Sequence, residues 1–321
     1  MADRERILSI DVFRGLAIML MVIVNYLSGI TVIPAWLKHA PDIGLTITDL
    51  VAPAFIFAIG LTYGLSYEKR AARDGTKAAN YHFIVRFLAI AGIGAFFTGG
   101  AAIVSPRDAA GAWGVLQAIG AAGLITLVFI RTPAYVRFLT GAALLFGYQL
   151  MLDNFWLPRV LASVQGGLEA APSWGALMLI ATAMADLFRM EEGYKFPFAA
   201  ASAALLAAGI LSSLVFAVSK NRVSFSYILI SAGISSLALY IIDLFLRLSK
   251  LKLSVFAWWG ANPLLLYLIH MILLGVTFVP GSEYWYAAAP LWSAVLQAAA
   301  FCAVLCFIAF FLYRKKVYFK L

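Results

Sequence analysis

Long apolar stretches recur along the whole 321-residue chain, and short polar stretches separate them. About 20 apolar residues in a helix cross a hydrocarbon core of roughly 30 Å. We therefore predict ten spans, at about 12–30, 49–67, 83–104, 112–130, 137–152, 174–189, 196–218, 227–246, 255–279 and 291–313. Because lipid offers the backbone no hydrogen bonds, each span should be helical. The pattern predicts an all-α, polytopic transmembrane helix bundle whose fifth and sixth spans are the shortest.

The composition supports a membrane chain, since 64% of residues are hydrophobic and 12% are charged. A soluble domain carries about 25% charged residues. No stretch is long and polar enough for a soluble domain, so we predict one integral-membrane domain over residues 1–321. The longest polar stretch on the outer side, 153–173, has apolar residues at helical spacing and predicts a short helix.

The basic residues predict the orientation, because cytoplasmic loops collect Lys and Arg. With ten spans, 19 of the 24 Lys and Arg residues fall on the side of both termini, which is therefore predicted to be cytoplasmic. The other five are Lys38, Arg107, Arg159, Lys220 and Arg222. The cytoplasmic cations then form a ring that attracts anionic lipid headgroups. This explains the net charge of +9 without a nucleic-acid partner. The first apolar run lacks a persuasive cleavage site and is interpreted as an uncleaved helix.

The first span contains polar residues that lipid should exclude. At 100° per residue, Arg14 and Asn25 lie about 20° apart around a helix, and Asp11 lies about 40° from Asn25. The helix therefore carries a polar track with a cation at its cytoplasmic end. Two alternatives are structural: Arg14 pairs with Asp11 at the interface, and Asn25 bonds another helix.

His39 and Asp49 lie ten residues apart, in the loop after the first span and at the start of the second. An imidazole can take a proton from an amine or hydroxyl near neutral pH. Asp49 could hold that ring in one tautomer, as carboxylates do in hydrolytic triads. It could equally cap the second helix.

Later spans contain further polar candidates. In span nine, Asn262 precedes Pro263, which interrupts the helical hydrogen bonds, and His270 follows within the span. Gln117 lies in span four. Each of these side chains could serve function or bond a neighbouring helix. The pairs Asp186–Arg189 and Asp243–Arg247 have the spacing of local ion pairs.

Two stretches, "SIDVFRGLAIMLMVIVNY" and "KHAPDIGLTITDLVAPAFIFAIGLTYGLS", closely resemble the heparan-α-glucosaminide N-acetyltransferase family of transmembrane acyltransferases. The residues that carry the resemblance are Asp11, Arg14, Gly15, Asn25, Tyr26, Lys38, His39, Ala40, Gly44 to Thr46, Asp49, Pro53, Phe55, Phe57 and Gly60. "GVLQAIG" and "GANPLLLYLIH" also look like later family segments. The chain departs from the family at "HAPD", which replaces an aromatic-containing loop. We also expect it to be a short member without the large luminal domain and extra first helix of lysosomal members.

The resemblance implies an enzyme that takes acetyl from cytoplasmic acetyl-CoA and passes it to a sugar amine on the opposite side of the membrane. By the resemblance, His39 would be the catalytic histidine and Asn25 its partner. With Asp49, whose role we infer from its position relative to His39, these residues are the predicted catalytic set. The donor's phosphates would stay at the cytoplasmic cations, which include Arg14, Arg86, Lys69 and Arg70. The predicted donor-binding set is Asp11, Arg14, Arg86, Gln117, Asn262 and His270, with no metal. Asn25 would donate to the thioester oxyanion while His39 deprotonates the acceptor.

The main alternative is a secondary transporter, in which Asn25, His39 and His270 line a path for a small polar solute. For the enzyme, the acceptor stays open between an amino sugar, a cell-wall glycan and a lipid-linked sugar, as does N- versus O-transfer. Direct transfer and a transient acetyl-histidine are both open. We expect a multi-pass protein of a prokaryotic plasma (inner) membrane, and dimerisation would follow only from the resemblance.

Overall fold

The computed structural model describes residues 7–104, 113–190, 194–249, 251 and 253–319, and all regular structure within them is helical. The α-helices of these residues are α1 Leu8–Leu27, α2 Val51–Asp74, α3 Thr76–Val104, α4 Val115–Phe129, α5 Ala134–Met151, α6 Leu157–Leu161, α7 Ala171–Met190, α8 Phe196–Ser212, α9 Phe225–Leu248, α10 Ser254–Ala261, α11 Pro263–Leu274 and α12 Leu291–Arg314. Each predicted span overlaps one of these helices, and span nine overlaps both α10 and α11. The all-α prediction is confirmed for the described ranges.

Seven helical stretches of the described chain are long and apolar enough to cross a membrane. They are Leu8–Leu27, Thr48–Asp74, Thr76–Gly100, Ala134–Leu161, Leu168–Met190, Phe225–Leu248 and Leu291–Arg314. The pair α10 and α11 would add an eighth, bent by 84°. The chain is therefore a multi-pass membrane protein. The count of ten spans, the cytoplasmic placement of both termini and the single integral-membrane domain stay predictions.

The shortest apolar helices are not the predicted ones. Spans five and six belong to helical stretches of 28 and 23 residues, because a π turn at Leu152–Trp156 and a 3-10 turn at Leu168–Ala170 extend them. That prediction is wrong. The short helices are instead α4, with 15 residues, and α8, with 17. At 1.5 Å per residue they measure about 22 and 26 Å, less than the ~30 Å hydrocarbon core.

The short helix predicted in the outer stretch exists as α6, with Val160 buried on it. Some predictions fall outside the described residues. These are the cationic residues Arg4, Arg6, Arg107, Lys250, Lys252 and Lys320, and the first residue of the span predicted at 112–130.

The described chain falls into two compact units. The first takes residues in the ranges 1–40, 46–55 and 238–320. Its centre is the contact between α1 and α10, where two glycines let the backbones approach closely. A Cβ built on Gly15 would lie 1.8 Å from the carbonyl oxygen of Phe256, and one on Gly260 would lie 2.0 Å from that of Asp11. Small residues at a helix contact are typical of membrane bundles.

The break between α10 and α11 lies at Asn262, as Pro263 predicts, because proline lacks the N–H that would continue the helix. The buried Asn262 side chain then bonds the segment after α12. Its Nδ2 donates to the Val317 carbonyl at 2.9 Å, and its Oδ1 accepts from the Phe319 N–H at 2.7 Å. Asn262 therefore holds the segment after α12 against the break between α10 and α11.

The second unit takes residues 41–45 and 56–237. Here α4 packs on α3 and α7, and α5 packs on α7. The predicted pair Asp186–Arg189 forms in this unit, and the buried Arg137 joins it as a second cation. The other predicted pair, in the first unit, also forms: Arg247 Nε lies 2.6 Å from Asp243 Oδ2.

Candidate functional site

His39 and Asp49 form a hydrogen-bonded pair in the first unit. His39 follows the 3-10 turn Ala35–Leu37, and Asp49 lies in the 3-10 turn Thr48–Leu50 that leads into α2. His39 Nδ1 lies 2.7 Å from Asp49 Oδ1. The carboxylate is fully buried, whereas the imidazole is 42% exposed. The structure therefore places an exposed imidazole at the surface of this unit, bonded to a buried carboxylate.

The second carboxylate oxygen of Asp49 is bonded by the loop that carries His39. Oδ2 accepts the backbone N–H of Ala40 at 3.2 Å and that of Thr46 at 3.0 Å. The Thr46 hydroxyl lies 2.9 Å from the same oxygen. The Thr46 contact is the one an acidic residue makes in a capping box, where its side chain accepts the N–H three residues earlier at the helix start. Asp49 therefore caps the start of α2 through Oδ2 and orients His39 through Oδ1.

The pairing sets the protonation of the ring. A carboxylate oxygen only accepts hydrogen bonds, so His39 Nδ1 carries the proton and donates it to Asp49. Nε2 is then the basic nitrogen of the neutral ring. This is the arrangement in which an imidazole acts as a general base in hydrolytic triads.

Asn25 and His270 form a second pair in the first unit, between α1 and α11. Asn25 Nδ2 lies 3.0 Å from His270 Nε2. His270 is fully buried, and the Tyr267 ring packs edge-on against it, with 4.8 Å between the centroids. With the amide donating, Nε2 accepts and His270 is neutral. His270 thus bonds a neighbouring helix, one of the alternatives that the sequence left open, and its partner is the predicted catalytic amide.

The end of α1 is held by further contacts on either side of Asn25. The Tyr286 hydroxyl donates to the Tyr26 carbonyl at 2.6 Å, and the Tyr26 hydroxyl donates to Gln297 Oε1 at 3.1 Å. The Ser28 hydroxyl donates to the Asn25 carbonyl at 2.9 Å. The backbone that carries the Asn25 amide is therefore fixed from two directions.

Arg14 and Asp11, the polar residues at the start of α1, bond other groups of the protein. Arg14 Nη2 lies 2.8 Å from Asp11 Oδ1, and Arg14 Nε donates to the Gly260 carbonyl at 2.6 Å. The local pair is the structural alternative that the sequence offered. The contact with α10 adds a link that the sequence did not reveal.

The remaining donor-binding candidates have different surroundings. Gln117 Oε1 accepts the Gly114 N–H at 2.7 Å at the start of α4, and its Nε2 donates to Thr98 Oγ1 at 3.2 Å. Asn262 holds the C-terminal segment. Arg86, in the second unit, lies over the Phe83 ring at 5.9 Å, and its buried Nε has no hydrogen-bond partner among the described residues.

Sequence reasoning passed over Thr46 as a site residue. A signal was available, because Thr46 and Asp49 form the T-x-x-D spacing of a helix-start motif in which side chain and backbone bond each other. In the structure, the Thr46 N–H and the Thr46 Oγ1 both contact Asp49 Oδ2. Thr46 therefore fixes the carboxylate that holds His39.

Fold and site together define a multi-pass α-helical membrane protein with an exposed imidazole seated on a buried carboxylate. Residues 6–243 match the profile of the family described as "Heparan-alpha-glucosaminide N-acetyltransferase, catalytic". This is about three quarters of the chain, and the chain belongs to this family. The family predicted from the sequence is confirmed. Asn262 and His270 lie beyond the matched residues.

Two curated relatives show the same kinship over a shorter stretch. The human heparan-alpha-glucosaminide N-acetyltransferase is 44% identical over 73 residues, which are 22% of this chain and 10% of the relative. The mouse protein of that name is 40% identical over 77 residues, which are 24% of this chain and 11% of the relative. The chain therefore aligns with about a tenth of each relative's length.

Proposed function

We propose that this protein is a membrane acetyltransferase that moves an acetyl group from cytoplasmic acetyl-CoA to an acceptor on the extracytoplasmic side. The acceptor is the amine of a glucosamine-type sugar or a hydroxyl of a glycan. The observation that carries the proposal is the 2.7 Å contact between His39 Nδ1 and Asp49 Oδ1, in a chain of this family. It provides a general base where an acceptor can reach it.

The reaction balances as a simple acyl transfer. His39 Nε2 takes the proton of the acceptor amine or hydroxyl while the acceptor atom bonds to the thioester carbonyl carbon. The carbonyl oxygen becomes an oxyanion. When the carbon–sulfur bond breaks, the sulfur leaves as the thiolate of CoA and the acetylated acceptor remains. Asp49 stabilises the imidazolium that forms in the first step.

In this proposal, the side-chain amide of Asn25 donates a hydrogen bond to the oxyanion. Its amide nitrogen has two hydrogens, and the contact with His270 uses one of them. We assign the second hydrogen to the developing negative charge of the thioester oxygen. His270 would thus orient Asn25 rather than bind the donor directly. A hydrogen-bond donor that is already in position before the reaction stabilises an oxyanion most effectively.

The phosphates of the donor are too charged to enter lipid and stay at the cytoplasmic cations. Arg86 is our preferred partner for them, because its buried Nε has no hydrogen-bond partner in the described part of the chain. Arg14 is less suited, since Asp11 and Gly260 already bond it. We further propose that both termini are cytoplasmic and that the protein lies in a prokaryotic plasma membrane.

The secondary transporter is not favoured by the family match. A transporter needs no general base, and it would leave acetyl-CoA intact. A path for a solute also does not need a histidine that is held in one tautomer by a fully buried carboxylate, as His39 is by Asp49.

Replacing Asn25 by alanine should lower kcat about 10²–10³-fold, the usual effect of removing one oxyanion donor. The KM for acetyl-CoA should change little, because the lost contact forms only as charge develops. The measurement is CoA release with an amino-sugar acceptor by the detergent-purified protein. Asn154→Ala, which removes an exposed amide elsewhere, is the matched control and should keep full activity. A wild-type kcat in Asn25→Ala would remove Asn25 from the mechanism.

A further inference from the structure

The loop that carries His39 has a middle segment, residues 41–45, with a set of contacts of its own in the second unit. Arg222 bonds Asp42 through two nitrogens: Nε lies 3.1 Å from both carboxylate oxygens, and Nη2 lies 2.5 Å from Oδ2. The Ser219 hydroxyl donates to Asp42 Oδ1 at 2.9 Å. A planar guanidinium that meets a carboxylate through two nitrogens fixes its direction as well as its distance.

The backbone of the same segment is also bonded. The Gly44 N–H donates to the Val218 carbonyl at 2.9 Å, and Asn221 Nδ2 donates to the Pro41 carbonyl at 2.6 Å. Gly44 has a φ of +127°, which only glycine adopts readily. Side chain and backbone contacts thus both fix residues 41–45 on the segment 218–222.

The segment 218–222 is itself anchored. The Arg222 N–H donates to Ser219 Oγ at 3.1 Å, and the buried Tyr148 hydroxyl donates to the Arg222 carbonyl at 2.6 Å. The hydrogen bond from Arg222 also lowers the pKa of Asp42, so this carboxyl stays ionised across the neutral range. Asp42 therefore meets a rigid partner with a permanent charge.

We propose that Asp42 and Arg222 are positioning residues for the His39 loop, and that their ion pair, the Asp42–Arg222 clasp, keeps that loop ordered for acetyl transfer. The catalytic part of this inference rests on the proposed function. Pro41 follows Ala40 directly, and Ala40 donates its N–H to Asp49, the residue that holds His39. The clasp thus acts along the chain, because Asp42 is two residues from Ala40, which bonds Asp49.

Asp42 and Arg222 are 180 residues apart along the chain, so only the fold of the second unit brings them together. Neither Asp42 nor Arg222 touches the reacting atoms in this proposal.

The first test measures the order of the loop without any catalysis. Lys38 offers a trypsin site inside the loop, and wild type should be cleaved there slowly in detergent. Asp42→Asn and Arg222→Gln should be cleaved at Lys38 about ten-fold faster or more, because each breaks the ion pair. Arg222→Lys keeps a cation and should restore part of the protection. Asp243→Asn, which breaks the pair with Arg247, is the matched control and should leave cleavage at Lys38 unchanged.

The second test measures catalysis. A displacement of the base by about 1 Å can cost 10²-fold in rate, so Asp42→Asn should lower kcat about 10- to 100-fold with an unchanged KM for acetyl-CoA. Arg222→Lys should recover part of kcat. If a charge-removing variant fails to fold, Ser219→Ala should show the same changes at smaller size, because it removes the hydroxyl that bonds Asp42 and the Arg222 N–H but keeps the ion pair.

Unchanged cleavage at Lys38 in the folded variants would overturn the clasp, whatever the activity. Faster cleavage with an unchanged kcat would also overturn it, because the loop would then be ordered without catalytic consequence. If wild type transfers no acetyl group to any acceptor, the proposed function fails instead, and the trypsin rates alone decide whether the clasp orders the loop.

Discussion

Replacing His39 by alanine should lower kcat for the proposed acetyl transfer about 10²–10⁴-fold, the range that a general base contributes. The loss falls on kcat because the imidazole acts on the acceptor's proton in the transition state. The measurement is CoA release with acetyl-CoA and an amino-sugar acceptor, followed with a thiol reagent. Cys302 and Cys306 are free thiols, so protein without donor gives the background to subtract.

Two comparisons make this result specific. The chain has three histidines, and His82→Ala, on α3, should keep wild-type kcat. Because the His39 ring is 42% exposed, imidazole added to His39→Ala should reach the empty place and recover part of the rate. A wild-type kcat in His39→Ala, or an equal loss in His82→Ala, would contradict the assignment of the base.

Replacing Asp49 by asparagine has the second large effect, up to about 10⁴-fold in kcat, as when an amide replaces a triad carboxylate. The contacts of Asp49 give the reason. Two backbone N–H groups, of Ala40 and Thr46, point at Oδ2, so the asparagine must keep its oxygen there. Its NH₂ then takes the place of Oδ1 and donates to His39 Nδ1. That ring must carry its proton on Nε2 and can no longer accept one from the acceptor.

The Asp49→Asn variant should remain folded, since most of its contacts survive, and its Tm checks this directly. The matched comparison is Asp243→Asn, which also replaces an ion-paired carboxylate in the first unit and should keep kcat. Full activity in folded Asp49→Asn would show that Asp49 does not set the tautomer of His39.

Local features of the site could be predicted from the sequence because they depend on short spacings. The pairs Asp11–Arg14 and Asp243–Arg247 follow from helical geometry, and both form. The ten-residue separation of His39 and Asp49 at a helix start suggested their contact, though a capping role fitted equally well. The structure shows both contacts, because Oδ1 meets the His39 ring while Oδ2 accepts the Thr46 N–H at the helix start.

Contacts between distant segments could not be predicted in the same way. Asn25 and His270 are 245 residues apart, and Asp42 and Arg222 are 180 apart. Each of these residues looked explicable alone, as a buried amide, a buried histidine or a loop charge. Their partners are set by how the helices pack, which no periodicity in a single sequence encodes.

Helix lengths show a related limit. The fifth span was predicted to end at residue 152, yet the helical stretch continues to Leu161, and Gln149 Nε2 donates to Asp153 Oδ1 at 2.8 Å across the predicted end. The π turn Leu152–Trp156 contains Asp153, and the helical stretch continues through it. Hydropathy marks polar residues and therefore placed the end of the span too soon.

In the proposed reaction, an acetyl group passes from a donor on one side of the membrane to an acceptor on the other. Proteoliposomes with glucosamine sealed inside and labelled acetyl-CoA outside measure this transfer. We expect labelled N-acetylglucosamine inside the vesicles, CoA outside, and neither with His39→Ala. Labelled sugar that forms only when both reactants are on the same side, or forms equally with His39→Ala, would contradict it.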